Sequence, residues 1–445
     1  MPKVIIVGGG CFGLSTAYAL SLKEEYEVFV FDKEAIPASD AASTDINKIV
    51  RYDYGDDVLY MKLMMEALPL WHQLNKERLE EGEEPVFHQT GVLMMSQNGS
   101  YSNFERKSLR AIREAGYDHA IEELLTPESI IQRFPQFENA VKNGYNIAYL
   151  NKQGGWCNSA EAVKHLYKKC LKQGVQFITG NEGAFLSLIY SKKDNITVEG
   201  IMTQDGRSHL ADKVVIAAGA WTPSLIDCGG LLTATGQTVV HFQPTGRLLE
   251  SFQKNTPVWC GDLSNTGCYG FPVNKDGKMK IGIHNSGCIW PCENKKVSVP
   301  RTQTSHQGDT IPLSGLQQMR KFLGAFLPET SALDITYSRL CWYCDSIDGD
   351  FLISYHPKYP NLIVASGCSG HGMKFIPNIG FQIRNVLEGI STDYTRAWAW
   401  RELDKSEIKL DGLRNGANKV CGIINGDEAT RLVSLDELKA ARASL

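Results

Sequence analysis

The chain carries no long apolar run. None of its hydrophobic stretches approaches the roughly 20 residues of a membrane-spanning helix, which argues against a membrane protein. Charge of one sign is scarce as well. A formal net charge of −4 over 445 residues leaves no basic stripe for a polyanion, so nucleic-acid binding lacks its main driving force. No internal repeat and no low-complexity tract interrupts the sequence. The 12 cysteines are scattered without a small-domain disulfide framework and read as buried thiols of a reducing compartment. The opening MPKVIIVGGG runs directly into a strand pattern rather than a signal peptide, so an intracellular protein is expected. What remains is small-molecule chemistry, in a chain with 43% apolar residues that is long enough for two domains.

What is present begins at residue 3. KVIIV is an apolar run, GGGCFG follows, and LSTAYALSL then sets its apolar residues at helical spacing: strand, tight turn, helix. EVFVFD, ending at Asp32, reads as the second strand of a βαβ unit. Gly8, Gly10 and Gly13 fit G-x-G-x-x-G. They lack a Cβ where the chain turns, where a pyrophosphate approaches and where helix meets sheet, and Asp32 lies where a ribose-binding acid is expected. The helix N-terminus would face the phosphates with unpaired N–H groups and the positive end of its dipole. The motif alone does not separate FAD from NAD.

Further along, a helix is predicted around Leu59 to Leu79 and a strand over 88–96, with a boundary near residue 85. Asn158 and Glu161 read as the capping box of another helix, which Gly174 stops before the strand VQFITG. ADKVVIAAG at 211–219 is a buried-strand candidate ending in small residues, which would let backbone approach a cofactor. Between about 230 and 330, short strands such as TVVHFQP and MKIGIH predict a substrate-facing sheet inserted into the nucleotide domain.

The segment from Ser338 to Lys374 gathers a cysteine, a tyrosine, a Gly-rich turn and a lysine. Together, GGGCFG, ASTDINKIVR (42–51), YGFPVNKDGKMKIGIH (269–284), CWY (341–343) and SGHGMKF (369–375) carry a resemblance that covers nearly the whole chain. The chain resembles the monomeric sarcosine oxidase family of flavoproteins, which includes pipecolate oxidases, saccharopine oxidases and the amadoriases that oxidise fructosyl amino acids. The resemblance implies FAD bonded through its 8α-methyl to the sulfur of Cys341, an anchor that should make the ring easier to reduce. Read from the residues alone, Cys341 and Cys344 spell C-x-x-C, a redox pair or half a zinc site. No second pair follows at zinc spacing, and no metal site is expected.

By the same resemblance, Lys280 sits over the flavin and promotes its reaction with dioxygen by stabilising developing negative charge. Taken alone it is one strand lysine near Lys275 and Lys278. Arg51 and Lys374 match the family's two grips on the substrate carboxylate, a fork and a point charge that aim the reacting C–H at flavin N5. A surface salt bridge to Asp53 is the ordinary alternative for Arg51. Tyr269, His284 and Tyr343 match the remaining pocket positions, where aromatic rings would cage a secondary ammonium and desolvation would favour the neutral amine. A core histidine and a packed strand tyrosine are the plain alternatives. Gly370 and Gly372, in the turn before Lys374, and Lys374 itself join Lys48 as expected cofactor contacts.

The expected fold class is therefore α/β: a Rossmann-type FAD-binding domain with an inserted mixed or antiparallel-sheet substrate domain. The FAD-binding domain is assigned to 1–85, 150–229 and 337–445, and the substrate domain to 86–149 and 230–336. The expected activity is an FAD-dependent oxidase of the secondary amine of an N-substituted or cyclic α-amino acid, of sarcosine, pipecolate or saccharopine type, releasing hydrogen peroxide. Alternatives are a fructosyl amino acid oxidase, a flavin dehydrogenase with a protein electron acceptor, and a non-catalytic nucleotide-binding sensor. Amadoriases carry an acidic residue four positions after the oxygen-site lysine. Here His284 stands at that position, which counts against a fructosyl substrate. The expected partners are the amino acid and O2, with no nucleic acid and no membrane, for a monomer. The terminus Arg442-Ala443-Ser444-Leu445 is reminiscent of a peroxisomal address, so cytosol and peroxisome are both open.

Overall fold

A computed structural model describes residues 1–253, 256–292, 295–402 and 422–440; the terminal tetrapeptide lies outside the described residues. Two large sheets organise the chain. The first is built on the strand Lys3–Val7, whose Val4, Ile5 and Ile6 are fully buried. Burying each such side chain contributes about 1.5–3 kcal/mol. It runs parallel to Glu27–Asp32 on one side and Lys213–Ile216 on the other, in the register Val4↔Val28 and Val4↔Lys213. Gln176–Thr179 and Leu362–Ser366 extend the parallel set, and Leu352–Tyr355 closes one edge antiparallel. This is the nucleotide-binding sheet expected from the glycine turn and the βαβ pattern.

The turn needs its glycines for identifiable reasons. Gly8 has φ +109°, and a Cβ there would stand 2.5 Å from the Ala217 carbonyl oxygen. A Cβ on Gly13 would stand 1.8 Å from the Gly8 carbonyl oxygen, because the helix Cys11–Ser21 leaves the strand at close quarters.

The second sheet has ten strands. Its axis is the long strand Leu232–Phe242, paired antiparallel with Met279–Ile283 and, along ten residue pairs, with Tyr337–Ser346. The span 337–445 was assigned to the FAD-binding domain, and its first strand is thus hydrogen-bonded into the other sheet. Val92–Ser96 and Ile147–Asn151 lie further out in the same sheet. The strand expected over 88–96 is broken in two: Phe87–His88 pairs with Gly155–Cys157 in a small sheet that also holds Lys48–Val50.

The helix Val58–Glu80 begins at Asp57, whose carboxylate accepts from the Tyr60 N–H at 3.3 Å. It braces the C-terminal turn, because Trp71 Nε1 donates to the Lys374 carbonyl at 2.8 Å. The helix Ser159–Lys172 starts as expected at Asn158, whose side chain accepts from the Glu161 N–H. The return half of the capping box is missing. The Asn158 N–H donates to the Val86 carbonyl at 2.8 Å instead, and the Glu161 carboxylate turns to Arg78 at 3.3 Å. Among the described residues no helix is long and apolar enough to cross a membrane.

Candidate active site

Two cavities meet between the sheets. The larger, about 430 Å³, is lined by Gly8, Gly10, Asp32, Lys48, Tyr343, Gly370 and Gly372 among others. The smaller, about 100 Å³, is lined by Lys48, Arg51, Tyr54, Phe104, Tyr269, His284, Tyr343, His371 and Lys374. Lys48, Tyr343, Gly370 and Met373 belong to both. Nearly every expected site residue is therefore brought to one place. Gly13, Cys341 and Lys280 stand outside both linings, Gly13 in contact between helix and strand.

Asp32 caps the end of its strand toward the larger cavity. It accepts from the Gly9 N–H at 2.7 Å and the Glu34 N–H at 2.9 Å. Burial pushes its pKa up, against the pull of those two hydrogen bonds.

In the smaller cavity two glycines make room for two tyrosines. A Cβ at Gly282 would stand 2.6 Å from the Tyr269 hydroxyl, and one at Gly370, with φ +74°, would stand 2.4 Å from the Tyr343 ring. Strand register brings these tyrosines together: Tyr269 faces Gly282, while Tyr343 and Cys341 lie on the strand paired with Leu232–Phe242. Burial raises both phenols, Tyr269 to about 12. The His284 and Tyr343 rings lie 5.9 Å apart.

Arg51 and Lys374 converge on Tyr54. The Arg51 guanidinium lies 5.8 Å from its ring centroid and 5.4 Å from that of Phe104, and Lys374 Nζ lies 5.3 Å from the Tyr54 ring. Lys374 is buried and donates to the Tyr54 hydroxyl at 3.0 Å and the His371 carbonyl at 2.9 Å. The alternative of a surface salt bridge between Arg51 and Asp53 fails. Asp53 is fully buried and accepts from Tyr149 at 2.7 Å and Asn151 at 2.8 Å, and Arg51 reaches only its backbone carbonyl. Behind Phe104, Glu105 is fully buried with neither carboxylate oxygen hydrogen-bonded, and burial raises it to about 7.

Cys341 is buried just behind the junction of the cavities, its Sγ 3.4 Å from Lys48 Nζ. Burial pulls Lys48 down, but the Cys341 sulfur and the Asp45 carboxylate outweigh it and hold Lys48 above the usual lysine range. Cys344 points elsewhere and accepts from Ser366 at 3.2 Å, so the two cysteines do not form a pair.

Lys280 is fully buried outside both linings. Its Nζ donates to Asp45 Oδ2 at 2.6 Å and to the Asn47 carbonyl at 2.7 Å. Burial lowers it to about 8, against the opposing pull of Asp45. Asp45, Tyr54 and His371 were not singled out from the sequence. Asp45 lies within ASTDINKIVR, and Tyr54 three residues after Arg51, but neither position carries a signal of its own. One group elsewhere, Glu81, Glu83 and His165, is spaced to hold a metal ion, but both glutamates pair with lysine or arginine.

The larger cavity suits FAD. It joins a helix N-terminus and a strand-end carboxylate at one end to a half-buried lysine at the other. Gly8, Gly10, Gly370 and Gly372 line it without side chains, which leaves backbone open to a pyrophosphate and a flat ring.

Comparison with known proteins agrees. The family described as FAD dependent oxidoreductase matches residues 3–384. L-saccharopine oxidase of Schizosaccharomyces pombe is 33% identical over 433 residues, covering 93% of this chain and 96% of that protein. Peroxisomal sarcosine oxidase of Homo sapiens is 26% identical, covering 88% and 94%. The solved structure of fructosyl peptide oxidase from E. terrenum superposes with a TM-score of 0.83 at 29% identity, covering 95% and 96%.

Proposed function

The chain belongs to the FAD dependent oxidoreductase family, and on that premise we propose that it oxidises the secondary amine of an N-(carboxyalkyl) amino acid of the saccharopine type. The coarser activity follows from the relatives: an FAD-dependent oxidase of a secondary-amine amino acid, with O2 as acceptor and H2O2 as product.

The observation that carries the finer reading is the charge of the smaller cavity. Lys48, Arg51 and Lys374 line it together with His284 and His371, and no aspartate or glutamate does. Asp45 already answers Lys48, and Arg51 and Lys374 suit one substrate carboxylate; a cavity with no acidic lining admits a second carboxylate without repulsion. A sugar would need acceptors for its hydroxyls, and His284 stands where the amadoriases have an acid. The likeness to the saccharopine oxidase supports the same choice.

In this reading Gly8, Gly10 and Asp32 hold the adenosine diphosphate half of FAD. Lys48, Gly370 and Gly372 hold its ring, and Cys341 tethers it by a thioether. When bound, FAD would supply the two-electron acceptor for the substrate C–H and the means of reducing dioxygen. Arg51 and Lys374 grip a carboxylate and fix the direction of the C–H bond. The aromatic walls desolvate the amine and so favour its neutral, reactive form. Tyr269 and Tyr343 stay protonated at neutral pH and offer hydroxyls rather than charge. Lys280, charged below about pH 8, stabilises the negative charge that develops when oxygen is reduced.

Peroxide release from saccharopine, sarcosine, L-pipecolate and fructosyl-lysine tests the substrate. The second carboxylate should favour saccharopine over sarcosine by about a hundredfold in kcat/KM, the size of one strong charge-assisted contact. Equal rates would sink the polyanion reading.

A further inference from the structure

The carboxylate of Asp45 serves three cations from one oxygen. Lys280 Nζ lies 2.6 Å from Oδ2, Lys48 Nζ 3.2 Å and Arg339 Nη2 3.3 Å, while Oδ1 accepts from the Ile46 N–H at 2.8 Å. The three come from different parts of the fold: Lys48 from the small sheet, Lys280 and Arg339 from two strands that flank Leu232–Phe242. Asp45 itself is fixed from behind, its carbonyl accepting from Ser159 Oγ at 3.0 Å and the Ala160 N–H at 3.1 Å.

Without that carboxylate Lys280 would have little reason to keep its proton. It has no exposure to water, it shares its surroundings with Lys48 and Arg339, and its register partner His241 is a buried histidine that burial holds neutral, at about 4. The remaining titratable neighbours are Cys341 and Cys157, the latter kept as a thiol by burial. Asp45 is the only carboxylate in contact with Lys280 among the described residues.

We infer that Asp45 is the positioning residue of the oxygen half-reaction: it keeps Lys280 charged and pins its ammonium between Oδ2 and the Asn47 carbonyl. This inference rests on the assignment of Lys280 as the oxygen-site cation. Arg339 competes for the same oxygen and works in the opposite direction.

The test uses 13Cε-lysine NMR and stopped-flow, both on holoenzyme. In Asp45→Asn the Lys280 resonance, assigned by its loss in Lys280→Met, should titrate at least about one pH unit lower than in wild type. Flavin reoxidation should slow about tenfold or more at neutral pH and recover on acidification, with flavin reduction much less affected. Asp45→Glu should restore the profile. Arg339→Gln should move the Lys280 titration upward, and it supplies the readout if Asp45→Asn fails to fold. An unchanged Lys280 titration in Asp45→Asn, or in Arg339→Gln where that stands in for it, overturns the inference, as does slowing of both half-reactions equally at every pH. Normal reoxidation in Lys280→Met would overturn the oxygen-site assignment instead, whatever the Asp45 variants do to the NMR titration.

Discussion

The two sides of the central cleft are built from opposite materials. On the nucleotide side, the glycine turn and its acid lie within the first 32 residues, around a strand with no exposed surface on its central residues. On the substrate side the cavity is lined by charged and aromatic side chains on segments as far apart as Arg51 and Lys374. The first arrangement tolerates no extra atoms and the second no lost charges. Recognition of a constant cofactor is thus placed in the rigid backbone, and recognition of a variable substrate in replaceable side chains.

That contrast can be broken most severely at Gly13. Gly13→Ala puts a methyl 1.8 Å from a carbonyl oxygen, a clash that costs about 3 kcal/mol or more. The variant should accumulate poorly or without flavin, as read from its visible flavin absorbance relative to its protein absorbance. Next in size is Cys341→Ser. It should bind FAD but release the colour to the supernatant on acid precipitation, whereas wild-type colour stays in the pellet. On the substrate side, Lys374→Met should leave the flavin in place and lower kcat/KM by about 30-fold, the worth of about 2 kcal/mol of charge-assisted hydrogen bonding. Loss of flavin in that variant would erase the distinction between the two sides.

The smallest effect concerns Glu105. Its folded-state pKa of about 7 lies above its ordinary 4.5, so the folded chain holds a proton that the unfolded chain has lost. Stability from this group therefore falls as pH rises from about 4.5 to about 7 and levels off above. Glu105→Gln should remove that slope, so that its stability relative to wild type rises between pH 5 and pH 8, read from urea midpoints at the two values. An identical pH slope in both proteins would contradict the buried, unpartnered placement.

The same contrast governs what could be read from the sequence. Gly8, Gly13 and Asp32 were legible because a tight strand-to-helix turn is a local event that few residues permit. The pairing of Tyr337–Ser346 with Leu232–Phe242 was not, since both are apolar strands and nothing nearby in sequence names the partner. The half-formed capping box at Asn158 has the same cause: the Val86 carbonyl, distant in sequence, takes the Asn158 N–H. Arg51, Lys374, Tyr269, His284 and Tyr343 were located by family resemblance, and the cavity gathers them. Asp45 was passed over because one aspartate in a loop is unremarked until three cations close around it.

Gly282 and Gly370 bear on attempts to engineer the enzyme. Each stands behind a tyrosine ring with no room for a methyl group, so mutagenesis libraries that vary these positions will mostly yield jammed pockets. Phe104, Leu263 and His284 line the same cavity without such backing, and they are where diversification has space to retune the choice of amine.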